Sequence, residues 1–252
     1  GRLLVRSEMS ERDKHARPRD EDESLIPKHG GYRRLKTFQL AEIVYDVTVR
    51  FCEKYIDPRS RTVDQMVQAA RSGRQNIAEG SMDSATSKKI ELKLTGVARG
   101  SLEELRLDYE DYLRQRGFPL WPPDYPALMR FKERRCSTLE EFRSWAADEV
   151  RREKKDTERR NREGQNTDGH GLAQTGKNNK NQRAVCDSLC PSVSPSVCSS
   201  VFVANGVLSL INLCVYLLDR QMRAQAEAFE KEGGFTERLY RKRVQARKKT
   251  KD

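Results

Sequence analysis

Four apolar stripes with three- and four-residue steps constrain this chain more than any other feature. Leu40, Val44, Val47, Phe51 and Tyr55 step by four, three, four and four residues, which places all five on one face of an α-helix. Val63, Met66, Val67, Ala70, Gly73 and Ile77 draw a second stripe. Ile90, Leu94, Val97, Ser101, Leu105 and then Tyr109 or Tyr112 draw a third. Leu208, Ile211, Val215, Leu218, Met222 and Phe229 make a coiled-coil-like seam, with Gln225 in the remaining slot. The spacing predicts helices over residues 35–56, 62–79, 86–116 and 203–231. Each stripe needs a neighbour to cover it, and the first three helices are joined by short connections. The expected fold is therefore all-α, an antiparallel up-and-down four-helix bundle.

Local signals punctuate the pattern. "DPRS" at 57–60 ends the first helix, and Thr62 with Gln65 reads as a capping box for the second. Gly73 would let a neighbouring helix come close, while Gly80 suits the left-handed position after a last turn. Gly96 and Gly100 read as close-packing positions, and Gly117 followed by Pro119 stops the third helix. Around this frame, residues 1–31 form a polar leader expected to be flexible. Residues 32–117 hold the first three helices. Residues 118–162 form a Pro-rich connection, "WPPDYP" included, and a charged helix expected to be partly exposed. Residues 163–200 read as a long low-complexity linker without stable structure. Residues 201–252 carry the fourth helix, a break at Gly233 and Gly234, a restart capped by Thr236, and a basic suffix.

Charge then bears on function. Hydrophobic residues make up 36% of the chain and charged ones 35%, which suits an extended bundle with flanks better than a compact enzyme. The net charge of +11 favours polyanionic partners. Its excess lies late in the chain: residues 1–32 carry 7 basic and 7 acidic groups, residues 219–252 carry 11 and 6. Two basic clusters are candidate nucleic-acid sites. One is a corner at the turn between the second and third helices, drawing on Arg71, Arg74, Lys88, Lys89 and Lys93. The other is the C-terminal run Arg238, Arg241, Lys242, Arg243 and Arg247, continued by Lys248, Lys249 and Lys251, with Tyr240 available to stack on a base. The same run could instead pack as a fifth element through Phe235, Leu239 and Val244. RNA or DNA binding is the leading expectation, and a purely structural protein-interaction adaptor is the alternative.

Catalytic constellations are absent from the pattern. His15, His29 and His170 all fall in segments read as flexible, and neither a GK[ST] phosphate loop nor HExxH occurs. Glu104, Asp108 and Asp111 share a helix face, but bundle metal sites also need Glu-x-x-His pairs, so a solvated acidic face is expected. A non-enzymatic protein without metal or cofactor follows. Cys52 and Cys214 sit in apolar helical patterns as small hydrophobes. Cys136 stands in a charged stretch, and Cys186, Cys190 and Cys198 match no standard zinc spacing. No signal-peptide pattern is visible, although the chain starts with Gly rather than Met. The apolar run 201–218 just reaches spanning length but contains Asn205 and Asn212, so a bundle helix in a cytoplasmic protein, with no membrane partner, is expected.

The stretch "RQNIAEGS" at 74–81 carries more information. It sets Asn76 and Glu79 one turn apart, on the same side of the second helix. A partly buried amide–carboxylate pair there would fix helix register or a subunit contact; alternatively, Glu79 would accept from Arg or Lys on a neighbour. With its surroundings the stretch resembles the four-helix-bundle proteins encoded in intervening sequences of bacterial 23S rRNA genes. Gln65, Ala69, Asn76, Ile77, Ala78, Glu79 and Gly80 match the first part of that family's pattern, and Gly100, Ser101, Glu104 and Leu105 match the second. The C-terminal "LLDRQMRAQAEAFEKEGGFTERLYRKRVQAR" resembles the suffix domain on a branch of these proteins. The resemblance spans residues 32–117 and 207–247; the insertion at 118–200 departs from it. The same superfamily is identified as including the accessory variability determinant of diversity-generating retroelements, and that resemblance implies a homo-oligomeric, pentameric bundle that binds the element's reverse transcriptase and is basic enough to hold nucleic acid.

Overall fold

The computed structural model describes residues 31–165 and 198–249, and every regular element among them is helical. After a short 3-10 turn at Tyr32–Arg34 come α1 (Lys36–Tyr55), α2 (Arg61–Asp83), α3 (Lys88–Gln115), α4 (Pro126–Arg134), α5 (Leu139–Gln165), α6 (Ser199–Glu232) and α7 (Phe235–Lys249). Residues 1–30 and 166–197, most of the leader and linker on which flexibility is expected, lie outside the described residues, as do all three His. At its described edges the expected 163–200 linker is instead helical, α5 reaching Gln165 and α6 starting at Ser199.

The long helices close a ring of contacts: α1 on α2, α2 on α3, α3 on α6, and α6 back on α1. Polar bonds give their relative directions. Thr37 Oγ1 donates to Gln221 Oε1 at 3.0 Å near one end, and Tyr55 and Ser199 share a hydroxyl bond of 2.7 Å near the other, so α1 and α6 run oppositely. Between α3 and α6, Lys88 meets Glu232, Gln225 meets Glu91, and Arg99 meets Asp219. That interface therefore runs oppositely too. Inside, Phe51 lies against Tyr109 and Tyr112, with ring centroids 4.9 and 4.7 Å apart. The buried Tyr109 hydroxyl donates to Thr48 Oγ1 at 3.1 Å, so its polar tip is satisfied without water.

Several local expectations are corrected. Ser60, rather than a Thr62/Gln65 box, caps α2: its hydroxyl accepts from the Thr62 backbone N–H at 3.3 Å. Gly80 is not a helix end. It is buried within α2, and a Cβ there would stand 3.3 Å from the Glu91 carbonyl oxygen and 3.4 Å from Leu94 Cβ. Glycine serves a close α2–α3 approach, and the helix continues to Asp83. The buried face of α3 is also rotated from the expected one. Ala98, Leu102, Leu105, Tyr109 and Tyr112 point inward, while Ile90 and Val97 are 45% and 44% exposed. Gly73, with Leu102 Cδ2 2.8 Å from its Cβ position, is the tighter of the two glycine contacts on that interface, whereas a Cβ at Gly100 would meet nothing within 4 Å.

The charged insertion is more ordered than its composition implies. Phe131 of α4 and Phe142 and Trp145 of α5 form an aromatic cluster. It seats against α6 at Gly206, where a Cβ would come 2.6 Å from Trp145 Cζ3. Glu149, 4% exposed, takes two bonds from Arg130, at 2.8 and 2.5 Å, a fork that holds α4 to α5. Beyond Val150 the side chains of α5 turn mostly to solvent, which agrees with the expected exposure. Cys52, Cys136, Cys198 and Cys214 are buried free thiols; burial pushes those of Cys52 and Cys214 up to about 12. Cys186 and Cys190 lie outside the described residues.

Candidate nucleic-acid interface

α6 ends where Gly233 turns left-handed at φ 71°, a conformation glycine adopts without a Cβ penalty. The next residues restart as α7, with the Glu237 carboxylate accepting from the Gly234 N–H at 2.9 Å. The basic suffix is thus a helix. Phe235, Leu239 and Val244 are half-buried on it, and none of the described side chains over 235–248 is fully buried.

Three cations lie near the Glu232 carboxylate at this end, one of them bonded to it. Glu232 takes a 2.6 Å bond from Lys88 Nζ at the start of α3. Arg241 donates to the Glu232 backbone carbonyl. Arg238 reaches across to the Ala85 carbonyl, in the turn between α2 and α3, at 3.2 Å. The Lys88 bond above all, with the Lys88, Arg238 and Arg241 charges, holds the Glu232 carboxyl below its ordinary value. Lys89 and Lys93 in the first turns of α3 are exposed, as are Arg241, Arg243, Arg247 and Lys248 along α7, and Tyr240 is 69% exposed. Lys242 is half-buried and engaged. Exposed cations beside a flat ring are a combination suited to polyanions without sequence readout.

The corner expected from Arg71, Arg74, Lys88, Lys89 and Lys93 is not assembled as one patch. Gly80 packs beside Glu91 and Gly73 beside Leu102, so Arg74 lies roughly 9 Å or more along α2 from the Lys88 end at 1.5 Å per residue. Arg74 also faces α1, its guanidinium 4.3 Å from the Tyr45 ring centroid. Arg71 is exposed. Lys88 instead bonds Glu232 at the end of α6, 144 residues later, and the nearby Ala85 carbonyl takes Arg238 of the suffix, 153 residues later. No local spacing carries such a signal, so Glu232 and the Ala85 carbonyl were not legible as parts of a site.

The opening motif also looks different in place. Asn76 Nδ2 donates to the Ser72 carbonyl at 2.8 Å and to Ser72 Oγ at 3.3 Å, within its own helix. Glu79 is exposed. They do not form a buried amide–carboxylate pair, because the half-buried amide is satisfied one turn back. On the acidic face of α3, Glu104 is exposed and Asp111 pairs with Arg114 at 2.7 Å. Burial, then Asp111 and Glu104, raises the Asp108 carboxyl. Among the described residues no group of three or more His, Cys, Asp or Glu is placed to hold a metal.

α6 contains a window apolar and long enough to cross a membrane by length and composition, and 61% of that window is buried inside the fold. No protein-family model, no curated protein and no solved structure matches this chain.

Proposed function

We propose that this chain is a non-enzymatic, self-associating protein whose α1, α2, α3 and α6 form an antiparallel up-and-down four-helix bundle. It binds RNA or DNA, or a protein that processes them, through the basic surface at the α6–α7 end. The observation that carries the reading is the gathering of Lys88, Arg238 and Arg241 around Glu232, with further exposed cations and Tyr240 alongside. The NIAEG motif supports membership of the intervening-sequence bundle class, with a reverse transcriptase as one partner and a pentamer as one assembly. The buried share of the apolar α6 window supports a cytoplasmic bundle helix over a membrane span.

The adaptor reading has its own observation. Ile90 and Val97, seven residues apart and so on one helix face, are both exposed. That face suits protein contact, including contact with a second copy. Titration with single-stranded and duplex RNA and DNA at rising salt separates the two. A steep loss of affinity with salt supports the nucleic-acid reading; absence of binding at low salt leaves the adaptor.

A further inference from the structure

We infer that the groove over the outer face of α6 is a binding site for an amphipathic anion, an apolar chain ending in a carboxylate or similar group. The groove measures about 840 Å³ and lies between α6, α4 and the 118–125 connection, within the size range of small-molecule sites. Leu208, Leu213 and Tyr216 of α6 line it from one side, Trp121 and Phe131 from the other. Leu120, Leu213 and Tyr216 are 57%, 45% and 57% exposed, so an apolar ligand would remove large side chains from water.

The wall is held in advance. Asn205, 2% exposed, accepts from the Trp121 N–H at 2.8 Å and donates to the carbonyls of Pro119 and Val201 at 3.1 and 2.9 Å. Trp121 is stacked on Tyr125 with centroids 4.3 Å apart and meets Phe202 edge-on. A ligand therefore meets a surface already ordered by α6, with little further ordering cost.

Charge selects the ligand. Lys36, Lys132 and Arg135 border the groove against one carboxylate, Glu110. Lys132 is tied to the Pro123 carbonyl at 2.6 Å, while Lys36 and Arg135 are exposed and have no ion-pair partner among the described residues. Arg135 supplies an independent observation. It ends α4 in the left-handed conformation, φ 49° and ψ 47°, and is the one non-glycine residue with positive φ among those described. Helix ends of this kind favour glycine or asparagine, and strain retained at a larger residue is characteristic of binding positions. An arginine there sets a cation at the groove's edge at a conformational cost that glycine would avoid.

The test is calorimetric titration of the full chain with decanoate below its micelle concentration, alongside neutral 1-decanol and cationic decylammonium. The expected result is saturable binding of one decanoate per chain, with decanol about tenfold weaker, the scale of one charge-assisted contact. Decylammonium should be weaker still. Arg135→Gly should lower decanoate affinity by a similar factor without lowering the melting temperature. Leu213→Glu, at a half-exposed position, should abolish binding while circular dichroism stays unchanged. Three results would overturn the assignment: no saturable binding, equal affinity for decanoate and decylammonium, or wild-type binding by Arg135→Gly. It would also be overturned if Leu213→Glu changed the solution mass while the wild type ignored decanoate, because a second copy would then be the occupant.

Discussion

Glu232 shows how one side chain can set the behaviour of a surface. Its carboxylate neutralises part of the cluster formed by Lys88, Arg238 and Arg241. Glu232→Gln should therefore raise affinity for a polyanion, whereas Glu230→Gln, an exposed acid of α6 outside those contacts, should do so less; a binding titration compares them. Because the folded-state pKa of Glu232 is depressed, its contribution to stability is present above the unfolded value and disappears as pH falls through the folded one. Thermal melts across the acid range should show a slightly larger loss in wild type than in Glu232→Gln. Asp108 has the opposite sign. Its carboxyl is raised by burial and by Asp111 and Glu104, so the ionised form costs stability at neutral pH. Asp108→Asn should melt higher there, with the gain fading as the solution is acidified. At the opening motif, Asn76→Ala should cost about 1 kcal/mol for the missing amide bond, and Glu79→Ala should stay within about 0.5 kcal/mol, as surface changes do. A Glu79→Ala effect confined to solution mass would place that residue in a subunit contact. The motif was visible in the sequence because an amide and a carboxylate one turn apart before a glycine form an unusual run, although α2 continues past it to Asp83. Its partner was not, because Ser72 lies in the same helix and offers no pattern of its own.

Helices were the most legible level. α1 begins and ends within one residue of the 35–56 expected from its stripe, because a dense three–four repeat between a turn and "DPRS" leaves one solution. Misreadings concentrate at small residues, whose role depends on what approaches them. Gly80 and Gly206 are close-approach positions, while Gly100 faces open space. A paired substitution checks this. Gly206→Ala should destabilise by about 1–3 kcal/mol, since the Trp145 ring is locked among Phe131 and Phe142 and overpacking cannot relax. Gly100→Ala should stabilise by about 0.5–1 kcal/mol, the ordinary gain of alanine inside a helix. Thermal melts of both variants supply the comparison. The α4–α5 insertion was harder to read because its aromatic contacts are made to Gly206, more than 60 residues downstream of Trp145. Its buried charge, Glu149, is matched by Arg130 on a different helix. Charge content alone cannot distinguish a solvated face from such an internal pair.

At the scale of the molecule, the ring of α1, α2, α3 and α6 brings the start of α3 to the end of α6, and that closure turns a basic suffix into a basic site. Net charge and its drift toward the C-terminus were readable from residues alone. The union of Lys88 with Arg238 and Arg241 was not, since it depends on the antiparallel pairing of helices far apart in sequence. The central claim is that this end binds nucleic acid electrostatically. Its most direct test is the salt dependence of RNA or DNA binding by the full chain and by a chain lacking residues 235–252, with circular dichroism and solution mass recorded for both. The account predicts that log affinity falls steeply with log salt for the full chain. The truncated chain should remain folded, bind more weakly, and show a slope smaller by about 0.7–0.9 for each phosphate it no longer neutralises. Identical affinity and slope for the two folded chains would contradict it.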